Sequence, residues 1–314
     1  MAIDKKFIDQ LIKVTSKAAL ESSYLVGKKD KIAADKAAVD SMRSQLNNMD
    51  ISGQIVIGEG ELDKAPMLYI GEKLGTNKGP EFDIAVDPLE GTNFAANNLP
   101  GALSVIAISE KNNLFKAPET YMEKISTNVK ERNVVDLDFS VKKNIFNLSE
   151  YLNKKPEELT ACILDRPRHG QIVQELKQLK VNIKFITDGD IAGALLVTDE
   201  KYNVDIFLGT GGGPEGVLAA TALDAYGCSF QGRFLFETEN DKRRAEEMGI
   251  NNFTKKYELD EIVSGDSIFC ATGITSGELV SGIVKTRDEF ISETLVTHKH
   301  SDLKKVIKLK QNIL

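Results

Sequence analysis

The chain has 314 residues, 41% hydrophobic and 28% charged, with a formal net charge of −7. The length allows one large domain or two ordinary ones with a sizeable core, and the acidic balance argues against a general nucleic-acid or membrane surface. Three cysteines without a Cys-x-x-Cys, and only three histidines (His169, His298, His300), argue against a disulfide framework, a thiolate zinc site, a His-rich metal centre and, with no Gly-x-Ser-x-Gly elbow, a serine-hydrolase triad. "MAIDKKFIDQLIKV" lacks a signal-peptide apolar core, and no apolar run approaches the roughly 20 residues of a bilayer span. The cytoplasm is the expected address, and any hydrolysis is expected to rest on carboxylates and metal ions.

In chain order, Ile8, Leu11, Ile12, Thr15, Ala18, Ala19 and Ser22 recur at helical spacing and predict a helix over 4–26. A second helix is expected over 31–48. One of its stripes reads Ile32, Asp35, Val39, Met42, Leu46, which puts Asp35 in the middle of an apolar face. Such a carboxylate either meets a local polar hole or faces a site. A strand at Ile55–Ile57, a helix from about Lys64 to Lys73, and strands at Ile84–Val86 and Leu103–Ile108 follow. Residues 110–160 are mixed, with strand-like "NVVDLDFSV" and a helix around 145–153.

The second half alternates. "TACILD", "NIKFIT" and "VDIFLG" read as strands; "GQIVQELKQL", "GDIAGALLVT" and "GPEGVLAATALDAYG" read as helices. This rhythm predicts an α/β sheet covered by helices. "RFLFETENDKRRAEEMGI" is a strand leading to a charged surface helix; "SIFCATGIT" and "ETLVTHK" are late strands. A boundary near 155–160 gives an N-terminal lobe, 1–157, and a C-terminal lobe, 158–314.

Acidic residues follow the strands. Glu59 comes after Ile57, Asp87 and Glu90 after Val86, and Glu215 after Leu208 across a glycine loop. Sites in α/β proteins form at the carboxyl ends of strands. With Asp35 they make five acids that, gathered in one pocket, repel one another unless divalent cations intervene, and oxygen-only donors select hard ions such as Mg²⁺ or Mn²⁺. In "DPLEGT", Pro88 is expected to stop the strand, Asp87 and Glu90 to address one ion, Gly91 to admit a close approach, and Thr92 to open a helix. A strand-ending turn with an N-cap threonine explains the same spacing.

"GTGGGPEGV" fits the dinucleotide pattern at Gly211, Gly213 and Gly216. Pro214 and Glu215, however, stand where pyrophosphate needs bare N–H groups, so a phosphate loop with a metal-binding glutamate fits better. "LDRPRHG" puts Arg166, Arg168 and His169 after a strand, either a phosphate fork or a surface basic turn. Asp188 and Asp190 in "TDGDIAG" either cap a helix or bind sugar hydroxyls.

The blocks "KDKIAAD", "IVIGEGELDKAPMLYIGEKLG", "FDIAVDPLEGT", "APETYMEKI", "RPRHG", "DGDIAG", "GTGGGPEGVLAA" and "ATGIT" together resemble the signature segments of the bacterial class II fructose-1,6-bisphosphatases, in order and along nearly the whole chain. The resemblance implies the sugar-phosphatase fold of alternating helix and sheet layers in two closely joined lobes, related to inositol monophosphatases. It implies removal of the 1-phosphate from fructose 1,6-bisphosphate in gluconeogenesis, two or three Mg²⁺ or Mn²⁺ ions per site, and a homodimer or homotetramer. By the same resemblance the metal ligands fall on Asp35, Glu59, Asp87, Glu90 and Glu215. Substrate contacts fall on Glu90, Gly91, Thr92, Tyr121, Arg166, Arg168, Asp188, Asp190 and Gly212. Thr92 and Glu90 are expected at the attacking water, with Lys31 and Asp63 as further active-site residues. Asn93-Phe94 stands where many relatives have a basic residue, and the segment after Arg233 is shorter than usual. The rival readings are a sedoheptulose-1,7-bisphosphatase or dual enzyme, a non-enzymatic sugar-phosphate sensor and, more remotely, a nicotinamide-dependent dehydrogenase.

Overall fold

The computed structural model describes residues 2–58 and 67–313. Two of the expected site residues, Glu59 and Asp63, lie outside the described residues, as does the start of the helix expected from Lys64. The chain forms two compact units, one of Met1–Lys116 with Val263–Leu314 and one of Ala117–Ile262.

The first unit begins with α1 (Lys6–Ser23) and α2 (Lys31–Asn47), both foreseen from periodicity. Asp30 caps α2 by accepting the Ala33 amide at 2.9 Å. The apolar stripe of α2 is set differently from the expected one. Ala34, Ala38, Val39, Met42 and Leu46 are buried, whereas Ile32 is 82% exposed. Asp35, half-buried, flanks the stripe instead of standing in its middle.

β1 (Ser52–Ile57) pairs parallel with β3 (Glu81–Glu90) and antiparallel with β2 (Lys73–Leu74). No helix covers 67–73. That segment extends the β1 ladder instead, with Gly71 N–H on Ile55 O at 2.8 Å and Ile55 N–H on Glu72 O at 2.9 Å.

β3 does not end before Pro88. It pairs with β4 (Leu103–Glu110) through Asp87↔Val105, then shifts register and resumes at Glu90↔Leu103. Proline has no N–H to give a ladder, and a bulge asks for none, so Pro88 is accommodated there without stopping the strand. α3 (Thr92–Ala96) follows at once.

The second unit opens with β5 (Tyr121–Thr127), in a region the sequence left unassigned, and α4 (Val141–Leu152). The expected strand "NVVDLDFSV" is absent. Side chains capture its backbone: Asn144 Oδ1 accepts the Asp136 amide and Asp136 Oδ1 the Asp138 amide, each at 2.8 Å, which favours turns over a ladder.

The alternating part is close to expectation: β6 (Thr160–Leu164), α5 (Gly170–Gln178), β7 (Asn182–Ile186), α6 (Asp190–Leu195), β8 (Ile206–Gly212) and α7 (Gly213–Tyr226). β6 pairs parallel with both β7 and β8, as βαβ crossovers require. Val217, Leu218, Ala219, Ala220, Ala222 and Leu223 of α7 are all buried, so this helix is apolar nearly all round. β9 (Ser229–Leu235), α8 (Glu239–Glu247), β10 (Lys256–Glu258) and α9 (Leu259–Ile262) complete the unit. Its six strands run β10-β9-β5-β8-β6-β7.

The chain then returns to the first unit through β11 (Ser267–Gly273), β12 (Val284–Lys285), β13 (Glu289–His298) and β14 (Leu303–Asn312), giving an eight-stranded sheet ordered β12-β13-β11-β4-β3-β1-β2 with β14 on β13. β11 pairs with β4 without a break from Ser267↔Ser109 to Gly273↔Leu103. The single expected cut near 157 is therefore wrong: the middle of the chain is one unit, and both ends build the other. α1 meets the returning strands through small and hydroxyl residues, with Thr15 Oγ1 2.7 Å from Thr272 Oγ1 and Ser16 Oγ 2.9 Å from Ser292 Oγ.

Candidate active site

In the first unit the bulge of β3 presents Asp87 and Glu90 on either side of Pro88-Leu89. A carboxylate oxygen of Asp87 lies within 4.8 Å of one of Glu90. Two oxygens that close, with no cation between, repel strongly, and their hard-oxygen chemistry suits a divalent ion such as Mg²⁺ or Mn²⁺. Glu90 is buried and Asp87 half-buried. Gly91 follows at φ +76°, a left-handed conformation that glycine adopts freely, and turns the chain into α3 with Thr92 as its first residue. α2 packs against both β3 and α3. The loop before α2 is tied to α3 by Gly27 N–H on Ala95 O at 2.9 Å and Lys29 N–H on Ala96 O at 2.8 Å. That tie anchors to α3 the start of α2, whose first turns carry Lys31 and Asp35. Phe94, one of the departures from the family pattern, is a core residue of this unit.

In the second unit the residues gather where β5, β6 and β8 meet the turns before α6 and α7. Tyr121 pairs with Gly212 across β5 and β8. The Arg168 guanidinium carbon stands 5.0 Å from the centre of the Tyr121 ring, and Arg168 donates to Thr210 O through Nε at 3.0 Å and Nη2 at 2.7 Å. Arg166 faces Asp188 at 3.9 Å. Arg166 also donates from Nη1 to Asp165 O at 3.0 Å; it is half-buried and Arg168 exposed, and guanidinium groups in such positions suit an anion.

Asp190 opens α6 and is buried. Its Oδ2 is ion-paired with Lys124, a lysine only 2% exposed that also donates to Gly212 O at 2.6 Å. Lys124 is the residue that sequence reasoning missed. It sits inside the quoted block "APETYMEKI", but nothing in that string marks a lysine as buried.

Glu215 lies in the first turn of α7. Burial pushes its carboxyl above the usual range; Lys124 opposes that, and Asp190 and Glu119 add to it. Glu215 Oε2 is buried and accepts no hydrogen bond from the described residues. A buried oxygen in that state suits a cation, so the donor set fits a hard divalent metal. The glycine loop is not a free phosphate cradle, since the Gly213 amide is already donated to Thr120 O at 2.7 Å. That weighs against the dinucleotide pattern noted in this stretch.

One close carboxylate pair on a strand bulge, a buried carboxylate and two arginines on one turn suit a phosphate-ester hydrolase, and comparison with known proteins fixes the class as the sugar bisphosphatases. "D-fructose 1,6-bisphosphatase class 2/sedoheptulose 1,7-bisphosphatase" of Trichodesmium erythraeum is 38% identical over 299 residues, covering 87% of each chain. The proteins of the same description from Synechococcus elongatus and Synechococcus sp. strain JA-3-3Ab are 39% and 37% identical, the latter covering 95% of this chain and 93% of its own. Among solved structures, an extragenic suppressor from Pyrococcus furiosus aligns with 61% of this chain and 70% of its own at 14% identity and a TM-score of 0.31, too slight a likeness to argue from. The chain belongs to the family described as "Bacterial fructose-1,6-bisphosphatase, glpX-encoded", whose sequence model matches residues 5–311. It is accordingly a phosphoric monoester hydrolase acting on fructose 1,6-bisphosphate. No helix among the described residues is long and apolar enough to cross a membrane.

Proposed function

We propose that the chain removes the 1-phosphate of fructose 1,6-bisphosphate with the help of two or three Mg²⁺ or Mn²⁺ ions held by Asp35, Glu59, Asp87, Glu90 and Glu215. The observation that carries the reading is the close Asp87–Glu90 carboxylate pair running directly into Gly91-Thr92. When bound, the ions neutralise phosphoryl and leaving-group charge and acidify water. The Thr92 hydroxyl orients the attacking water and Glu90 takes its proton. Asp63 supports that water or a metal, and Lys31 is a further residue of the same active site. Gly91 and Gly212 leave room for the substrate's approach.

Arg166 and Arg168 grip the remote phosphate, Tyr121 lines it, and Asp188 and Asp190 accept hydrogen bonds from sugar hydroxyls. Holding the phosphate that does not react places the one that does. In this reading the protein works in gluconeogenesis in the cytoplasm, as a homodimer or homotetramer.

A second substrate is supported by the names of the relatives, which couple the fructose and sedoheptulose activities. We extend the proposal to sedoheptulose 1,7-bisphosphate, one carbon longer.

The test is phosphate release from a panel of sugar mono- and bisphosphates after chelation and re-addition of each metal. Release from the two bisphosphates that returns only with Mg²⁺ or Mn²⁺ is expected. Equal rates without metal overturn the reading.

A further inference from the structure

His169 closes the Arg166-Pro167-Arg168-His169 turn and is 1% exposed, and its two hydrogen bonds fix its chemical form. Its Nε2 lies 2.8 Å from the Thr210 amide nitrogen, which can only donate; Nε2 is therefore the acceptor and carries no proton. Its Nδ1 lies 2.7 Å from Leu164 O, which can only accept; Nδ1 is therefore protonated. The ring is the neutral Nδ1–H tautomer, bridging the end of β6 to β8.

Arg168, next in the chain, grips the other pole of the same residue, donating twice to Thr210 O. Neighbouring side chains thus take the N–H and the C=O of one strand residue. The ring packs against Gly209, whose φ of +140° and lack of a side chain permit it: a Cβ there would stand 3.0 Å from Nε2 and 3.1 Å from Cε1. With Nε and one Nη2 proton committed to Thr210, Arg168 keeps its remaining donors, both on Nη1 among them, for an anion.

We propose that His169 is the positioning residue that sets the Arg168 guanidinium, and through it the grip on the remote phosphate of the substrate. This rests on the reading of Arg168 as a phosphate contact. The clamp works only with a neutral ring, since a proton on Nε2 sets N–H against the Thr210 N–H. Among the described residues, Arg168 and Asp190 are the charged groups that act on the ring. Burial first, and then Arg168 on the same turn, hold its pKa below the ordinary histidine value, while Asp190 on α6 opposes them.

The test is a double-variant cycle in kcat/KM for fructose 1,6-bisphosphate, using His169→Phe, Arg168→Ala and both together, with metal saturating. A residue acting through Arg168 loses its effect once Arg168 is gone. We expect Arg168→Ala and His169→Phe each to lower kcat/KM by roughly tenfold or more, given that misplacement by 1 Å costs up to ~10²-fold. The double variant should match Arg168→Ala within about twofold. A His169→Phe loss that persists in full on the Arg168→Ala background overturns the inference and leaves the reading of Arg168 standing. An Arg168→Ala variant with wild-type kcat/KM overturns that reading, and the inference with it. Should His169→Phe not fold, nitrogen-15 NMR of the wild-type imidazoles at neutral pH decides: the Nδ1–H form supports the clamp, and an Nε2–H or doubly protonated ring overturns it.

Discussion

Lys124→Met removes the cation from the buried centre of the second unit and leaves its shape nearly unchanged. Lys124 and Asp190 are 2% and 8% exposed in their side chains, so water screens the pair little. Asp190 Oδ1 is buried and accepts no hydrogen bond from the described residues, and Gly212 O loses its 2.6 Å donor. Taking one partner from a buried ion pair costs about 3–5 kcal/mol, because the other charge stays in a poor solvent. Methionine keeps the stem packing, so little is added for a cavity. With urea slopes of roughly 1–3 kcal/mol/M, the midpoint should fall by on the order of 1–2 M. The chain has seven tyrosines and no tryptophan, and the second unit holds Tyr121, Tyr151, Tyr202, Tyr226 and Tyr257. Tyrosine fluorescence in urea therefore reports mainly on the unit that is perturbed. Adding Asp190→Asn to Lys124→Met removes the stranded charge and should recover about 1–3 kcal/mol. A midpoint shift for Lys124→Met under about 0.5 M, or strictly additive losses in the double variant, would refute the argument that the pair is an essential compensation.

Gly212→Ala tests how tightly the loop is fitted around Glu215. The backbone there is ordinary, at φ −67° and ψ 142°, but an added Cβ would run into the Glu215 carboxylate. The fold should change by less than about 1 kcal/mol, while the metal concentration for half-maximal activity rises severalfold in a titration with Mn²⁺. Glu90→Gln should fold normally and lose roughly 10²–10⁴ in kcat even at saturating Mn²⁺; wild-type turnover would remove Glu90 from its role. Asp266 is buried, which raises its pKa, yet the amides of Ile3 and His300 and the ring of His298 outweigh burial and hold it below the ordinary value. A depressed folded-state pKa adds stability above the unfolded-state value of about 4, and that stability is lost as pH falls through the folded-state pKa. Asp266→Asn should therefore be less stable at neutral pH, and the gap to wild type should close below about pH 4 in a series of urea melts.

Much of this architecture was legible because its signals are local. The period of α1, the βαβ rhythm of β6 to α7 and the acids just beyond apolar runs can each be read in a window of a dozen residues. The failures came where the answer lay in distant pairing. The return of β11 to β4 joins residues more than 150 positions apart, so no composition shift near 157 could have revealed that both chain ends share a sheet. "NVVDLDFSV" has strand propensity, but Asn144 and Asp136 satisfy its amides locally and tertiary context prevails. Pro88 reads as a strand stop until a bulge with no claim on its nitrogen is present.

The site divides along the same line. The carboxylates proposed as metal ligands can be picked out in sequence, because acids that directly follow apolar runs stand at the carboxyl ends of strands. Lys124 and His169 have no such signature. Each is buried by its partners: Lys124 by Asp190 and the Gly212 carbonyl, His169 by Leu164 and Thr210, all at least five positions away in sequence. A lone lysine in a strand and a histidine after an arginine are most often surface residues, and only the fold converts them into groups whose charge or tautomer is fixed. The candidate acids are therefore visible from sequence, whereas the buried groups that hold their neighbours in place emerge only once the sheet is assembled.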